Sequence, residues 1–221
     1  MITLYHHSLC PKSRFVRLVL NEKKIEYQLV EEKFWQRRDE FLAMNPAGEV
    51  PVLVLERGQI LSDSIAIAEY LEESYDARNL IGRQPLQKAE TRRLVGWFNQ
   101  KFHTEVTKNF VGEKYFKGQE GSTPNSKAMS AGRQNVAYHL DYIDFLTKSH
   151  SWLNGDEMTL ADLAAAAELS TVDYFGDVPW AHNERAKHWY AVMKSRPSFR
   201  TLLEDRVPGV TPPKHYTDPD F

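Results

Sequence analysis

Three residues near the start of the chain have types and spacing suited to sulfur or anion chemistry. Ser8, Cys10 and Ser13 fall in the run SLCPKSRF, between a strand-like ITLY and a helical KSRFVRLVLNEKK. A strand-to-helix turn gathers unpaired amides and the positive end of the helix dipole, so it favours an anion. A thiol there is expected to have its thiolate favoured, with Lys12 and Arg14 pushing the same way. Such a thiolate attacks a disulfide or activates a bound thiol. The alternative is that Cys10 packs as a small hydrophobe beneath the loop and that Ser8 and Ser13 cap the helix.

A second set is Ser62, Asp63 and Ser64 at another helix start, where a hydroxyl can hold a carboxylate and Asp63 an ammonium. Ser62 or Ser64 serves equally well as a plain N-cap. Between the two sets lies NPAGEVPVL, in which Pro51 directly precedes an apolar run. Proline cannot donate to a sheet ladder, so Pro51 belongs at a strand start or edge. A cis Val50–Pro51 bond would turn the chain there and bare backbone groups to an outside partner.

The elements that must position these residues change character near residues 75 to 85. Before that point the order reads β-α-β-α-β-β-α. Phe15, Val16, Val19 and Leu20 share a helical face, IEYQLVE alternates as a strand, and the glycine in ERGQ marks a hairpin. A parallel first crossover and that hairpin give a small mixed sheet with helices on its faces. Beyond the linker the pattern is helical. Trp97, Phe98, Lys101 and Phe102 lie together on one helix, and Tyr138, Tyr142, Phe145 and Leu146 form a stripe expected to be core. GEKYFKGQEGSTPNSK between them is expected to be an exposed loop. In NGDEMTLADLAAAAELS, Thr159 and Asp162 form a capping box, and Met158 can staple to Leu163. The ending RVPGVTPPKHYTDPDF has four prolines in sixteen residues and reads as an extended arm.

Bulk properties exclude several classes. The 221 residues suffice for two modules, and a 42% hydrophobic fraction supports real cores. With 28 Lys plus Arg against 30 Asp plus Glu, the formal charge of -2 gives no field for nucleic acid or anionic lipid. A single cysteine rules out an intrachain disulfide and a cysteine-rich zinc cluster, and the eight histidines show no HExxH pair, so no metal is expected. No apolar run reaches the length of a signal core or a membrane span, so the expected address is cytoplasmic, without membrane insertion.

Taken in order, the SLCPKS turn, NPAGEVPVL, SDS, the helical second half and the TLADL box resemble the cytosolic glutathione transferases over nearly the whole chain, to about Glu204. The resemblance implies a thioredoxin-like domain over residues 1–78, an all-helical domain over 85–206, an arm over 207–221, and a homodimer. It further implies that glutathione pairs with the backbone of Val50 ahead of Pro51, while Asp63 and Ser64 hold the γ-glutamyl end. Ser8, Cys10 and Ser13 compete for the catalytic place, and CPKS is similar to the cysteine-bearing, thiol-exchanging classes of that family. Tyr5 lies within a strand and reads as core. A Cys10 mechanism would need a second glutathione as resolving thiol, because the chain has no other cysteine.

A narrower resemblance sets a different function beside this one. VEEKFWQRRDEFLAMNPAGEVPVL, DYFGDVPW, SRPSFR and PPKHYTDPDF look like an alphaproteobacterial branch of the family that regulates cell division and binds the tubulin-like GTPase FtsZ. There the fold is a binding scaffold. In that reading Trp35 with Arg37 forms an aromatic and arginine anchor, and Tyr216, Asp220 and Phe221 on the arm dock on the partner. The alternatives are that Trp35 covers the second helix and that the arm straps its own domain.

Overall fold

The computed structural model describes residues 1–218, so Asp220 and Phe221 lie outside the described residues. Four strands, β1 (Ile2–His6), β2 (Tyr27–Glu31), β3 (Val52–Val54) and β4 (Ile60–Ser62), form one sheet in the order β2-β1-β3-β4. β1 pairs parallel with β2, and β3 pairs antiparallel with both β1 and β4. The crossover and the hairpin read from the sequence are both present, with the hairpin turning at Gly58 (φ 82°). β2 is an edge strand, and its Leu29 and Val30 are exposed.

Three helices accompany the sheet: α1 (Pro11–Glu22), α2 (Asp39–Met44) and α3 (Ser64–Ser74). Pro11 opens α1, where a missing amide hydrogen costs nothing. Phe15, Val16, Val19 and Leu20 are buried, as their periodicity requires. A fully buried Phe or Leu contributes ~1.5–3 kcal/mol through area removed from water.

The remainder is helical. α4 (Pro85–Gly96) runs directly into α5 (Trp97–Phe116), whose backbone follows wide i→i−5 winding, and a last turn covers Lys117–Gln119. The loop expected from Gly112 onward is therefore corrected: helix persists to Gln119, and the turn residues take over only at Glu120. Two glycines do not end a helix whose Phe110, Val111 and Tyr115 are buried. α6 (Ser126–Leu146) packs on α5 at Gly132, where an added Cβ would lie 3.2 Å from the Phe110 side chain and backbone.

The stripe expected to be core on α6 is also corrected. Tyr138 and Phe145 are 56% and 69% exposed, Tyr142 and Leu146 are half-buried, and the inward face is Val136, His139, Leu140 and Ile143. His139 holds that face: it accepts from Trp97 Nε1 at 3.2 Å through Nδ1, and its Nε2 meets Glu105 at 3.0 Å.

α7 (Leu160–Asp173) is buried along its whole length. Its capping box forms as read, with the Thr159 amide donating to Asp162 at 2.9 Å and Asp162 also accepting from Leu153 N and Trp189 Nε1. Met158 and Leu163 are both core. α8 (Glu184–Ser195) and α9 (Arg200–Leu203) complete the helices.

Residues 207–216 are not a free arm. Val207 bridges to Val210, and Lys214–Tyr216 forms a single tight turn. Tyr216, expected to face a partner, is wholly buried. Its hydroxyl donates to Leu202 O at 3.1 Å and accepts from Arg14 at 3.0 Å. The prolines restrict the segment's unfolded states, and the aromatic ring supplies the anchor.

His6 and His7, at the end of β1, give the fold an acid sensitivity. Burial, with Arg17 and Arg14 nearby, lowers His6 to about 3 and His7 to about 4. Both are neutral when folded but take up protons near 6.5 when unfolded, so stability present above pH 6.5 is lost as pH falls toward 4. Each histidine contributes ~1.4 kcal/mol per pH unit in that window. Asp162 and Asp173, pushed upward by burial, act in the opposite direction. Urea unfolding at pH 6.5 and 4.5 is expected to show a loss that a His6→Asn/His7→Gln pair of substitutions flattens; an equally steep loss in that variant contradicts the assignment.

Candidate functional site

The turn after β1 is shaped by short internal bonds. Leu9 N donates to His7 Nδ1 at 3.1 Å, Cys10 N donates to His7 O at 2.9 Å, and Arg14 Nε reaches back to Ser8 O at 2.6 Å. Cys10 is the N-cap of α1 but makes no side-chain cap. Ser13, expected as a cap, is instead inside the helix and fully buried, its Oγ accepting from His7 N at 3.4 Å.

The expected lowering of the thiol's pKa is corrected. Cys10 is buried, and burial pushes its thiol above the ordinary cysteine value, outweighing the downward pull of Ser13 and Lys12. Its S–H faces Val50 O at 3.6 Å. Arg14 is not beside the thiol; its guanidinium turns to Ser170, Tyr216 and Asp205. A helix start favours an anion only where water or a counter-charge reaches it, and here the burial cost is larger.

The Val50 side of the turn is set by Asn45. Its side-chain amide donates to Glu49 O at 2.7 Å and its Oδ1 accepts from Ala47 N at 3.2 Å. Gly48 takes φ 68°, and a Cβ there would meet Arg37 Nη1 at 3.0 Å and Leu42 at 3.1 Å. Only glycine meets both demands at that position. The Val50–Pro51 peptide is cis, as read from the sequence.

At the third helix the capping assignment shifts by one residue. Asp63, not Ser62 or Ser64, is the N-cap, at φ 74°, and its Oδ1 accepts from Ile65 N at 2.8 Å and Ala66 N at 3.1 Å. Ser64 is buried and Asp63 exposed. Part of the Asp63 carboxylate is thus committed to its own helix.

Between the sheet and α5 lies a cavity of about 540 Å³, whose walls include Cys10, Val50, Phe34, Phe116, His103 and Lys108. It brings Cys10 and Val50 together, whereas Ser8, Ser13, Asp63 and Ser64 are not among its walls. At its edge an aromatic group closes the junction between sheet and helices. Trp35 is half-buried, its ring 5.3 Å from those of His7 and Phe34 and 6.0 Å from Phe116. Trp35 therefore covers this junction rather than the second helix. Arg37 is exposed.

The helical wall carries groups that the sequence reading did not single out. Glu168, wholly buried on α7, accepts from the Thr107 hydroxyl and meets His103 Nδ1 at 3.1 Å. The signal for Glu168 was a lone charge in the apolar run LAAAAELS. His103 stands 65 positions away, and sequence spacing does not join them.

The glutathione S-transferase N-terminal domain family matches residues 9–74. The FtsZ-localized protein A of Caulobacter vibrioides is 44% identical over 99% of this chain and 98% of its own. Among solved structures, FzlA from C. crescentus superposes with a TM-score of 0.96 at 44% identity, covering 100% of this chain and 99% of that one. A glutathione S-transferase from Rhodospirillum rubrum F11 does so with a TM-score of 0.96 at 51% identity, covering both chains fully. The chain belongs to the glutathione S-transferase family. Its full-length likeness to an FtsZ-localized member places it beside that branch.

Proposed function

We propose that this protein is a glutathione-transferase-fold scaffold of the bacterial division apparatus that binds FtsZ and does not use Cys10 as a nucleophile. The observation that carries the reading is the end-to-end likeness to FtsZ-localized protein A, which extends past the family's N-terminal domain through the final helices. The buried thiol supports it from the other side. A fluorescent fusion expressed in Caulobacter is expected to gather at the FtsZ ring and to disperse when FtsZ is depleted. Uniform fluorescence in cells with intact rings removes the reading.

The protein works as a cytoplasmic homodimer in this proposal. Support comes from the α6 stripe, since Tyr138 and Phe145 stand exposed, as does Leu86 on α4 at 82%. Large apolar side chains left exposed favour coverage by a second copy. No helix among the described residues is long and apolar enough to cross a membrane. Light scattering is expected to give twice the chain mass, and a monomer at micromolar concentration contradicts the dimer.

Glutathione binding is the second reading. It is favoured by the Val50 backbone bordering the cavity beside the cis-proline, within residues 1–78 as a thioredoxin-like domain. The Cys10 thiol already occupies Val50 O, and Asp63 caps its own helix, so glutathione would have to displace the first and share the second. Calorimetry with millimolar glutathione decides it, and a flat titration excludes glutathione-dependent chemistry.

A further inference from the structure

We infer that the groove where the end of α1, the linker and the segment between α8 and α9 meet is a binding site for a phosphate dianion, held by Lys24, Arg78 and Arg196. The groove has a volume of about 590 Å³. Its three cations come from different parts of the chain: Lys24 follows α1, Arg78 lies on the linker, and Arg196 follows α8. A ligand there touches both modules at once.

The charge on the walls does not balance. Glu22, on the last turn of α1, is the one carboxylate lining the groove among the described residues. Arg196 holds it with a two-bond fork, Nε at 2.6 Å and Nη2 at 2.8 Å, and Arg78 Nη1 reaches it at 3.2 Å. Ser198 Oγ donates to it at 2.5 Å. Burial raises the Glu22 pKa, but Arg196, Ser198 and Arg78 outweigh it, so the carboxylate stays charged. Two guanidiniums on one carboxylate leave a positive charge in excess. Lys23 adds none, because its buried ammonium pairs with Glu72 at 2.9 Å. Lys24 adds a second, being exposed and without an acidic partner among the described residues. A cleft with this excess of one sign concentrates anions, and two positive charges match a dianion.

The donors are already in place. Arg196 is fixed on one side by Glu22 and on the other by Trp152, whose ring centroid lies 5.8 Å from its guanidinium carbon. Its Nη1 has no hydrogen-bond partner among the described residues, and neither do Nε and Nη2 of Arg78, a side chain 43% exposed. Lys24 takes φ 55° at the left-handed position that closes α1, where glycine is the usual occupant. The negative end of a helix ordinarily repels an anion. Here the carbonyls of Val19, Leu20 and Asn21 accept from the amides of Lys23, Ile25 and Lys24, which blunts that field. Guanidinium edges suit phosphate oxygens. The site shares no wall with Cys10 or Val50, and it requires neither the thiol nor FtsZ.

The test is calorimetry on the full chain at about pH 8, where phosphate is largely a dianion, with ionic strength held by sodium chloride. Inorganic phosphate and AMP are the probes, and adenosine is the uncharged counterpart. At least one phosphate probe is expected to bind once per chain, and adenosine not at all. Tighter binding of AMP assigns a phosphorylated small molecule, whereas inorganic phosphate binding as tightly or more so assigns the free anion. Lys24→Gln and Arg78→Gln are surface changes that leave Glu22 with Arg196 and Ser198, and each is expected to weaken the tighter probe about tenfold. Melting temperatures of the unliganded variants check that the fold is intact. Failure of both phosphate probes to bind at millimolar concentration, equal binding of adenosine, or unchanged affinity in either variant overturns the inference.

Discussion

Replacing Asp205 by alanine is expected to cost about 3–5 kcal/mol of stability, the penalty for leaving buried charges uncompensated. Asp205 receives Arg17 through two bonds, at 2.7 and 2.9 Å, and stands 3.8 Å from Arg14 Nη2. Both arginines are on α1 and essentially unexposed, so neither can turn to water when the carboxylate is removed. Arg17 would keep Thr201 O, and Arg14 would keep Ser8, Ser170 and Tyr216. The charges themselves would lack a counter-ion. Urea unfolding measures it; a loss below about 1 kcal/mol, the value of an exposed pair, shows the arginines to be solvated in solution.

Deleting residues 214–221 is expected to destabilise the protein by about 3–5 kcal/mol, because Tyr216 is a fully buried aromatic and its hydroxyl serves Arg14 and Leu202. The same cut removes His215, whose carbonyl accepts from buried Lys194 at 2.8 Å and whose ring approaches buried Asp173 at 3.3 Å. Tyr216→Phe isolates the hydroxyl and should cost about 1–3 kcal/mol. A deletion variant as stable as the full chain would mean that the segment is a detachable arm after all. Loss of FtsZ binding in such a deletion is therefore no evidence for a docking role of the tail unless the fold is shown to survive.

The contrast between what was legible and what was not follows the range of the interactions. Local rules placed the succession of strands and helices along the first module, the Gly58 hairpin and the Thr159 and Asp162 capping box, because each depends on residues a few positions apart. The α6 stripe misled because its aromatic residues do share a face, but periodicity does not say which of two apolar faces meets the bundle. The α5 extension was missed because Gly112 and Gly118 read as breakers, whereas burial of Tyr115 holds the turn together. Proline content correctly excluded a long helix at the C-terminus but carried no information on where Tyr216 goes.

At the site, Cys10 and Val50 do come together, which the turn motifs implied. The sign of the thiol's shift was not legible. It depends on how completely the sulfur is buried, and that is a property of tertiary packing. Glu168 and His103 escaped notice for a similar reason: the pair is joined across two helices.

The direct measurement is co-sedimentation of purified wild-type and Cys10→Ala protein with GTP-assembled FtsZ, with affinities fitted from the pelleted fractions. A scaffold that makes no use of its thiol gives the same affinity for both chains. Failure of the wild type to pellet with FtsZ, or a tenfold weaker Cys10→Ala variant whose fold is intact, contradicts it.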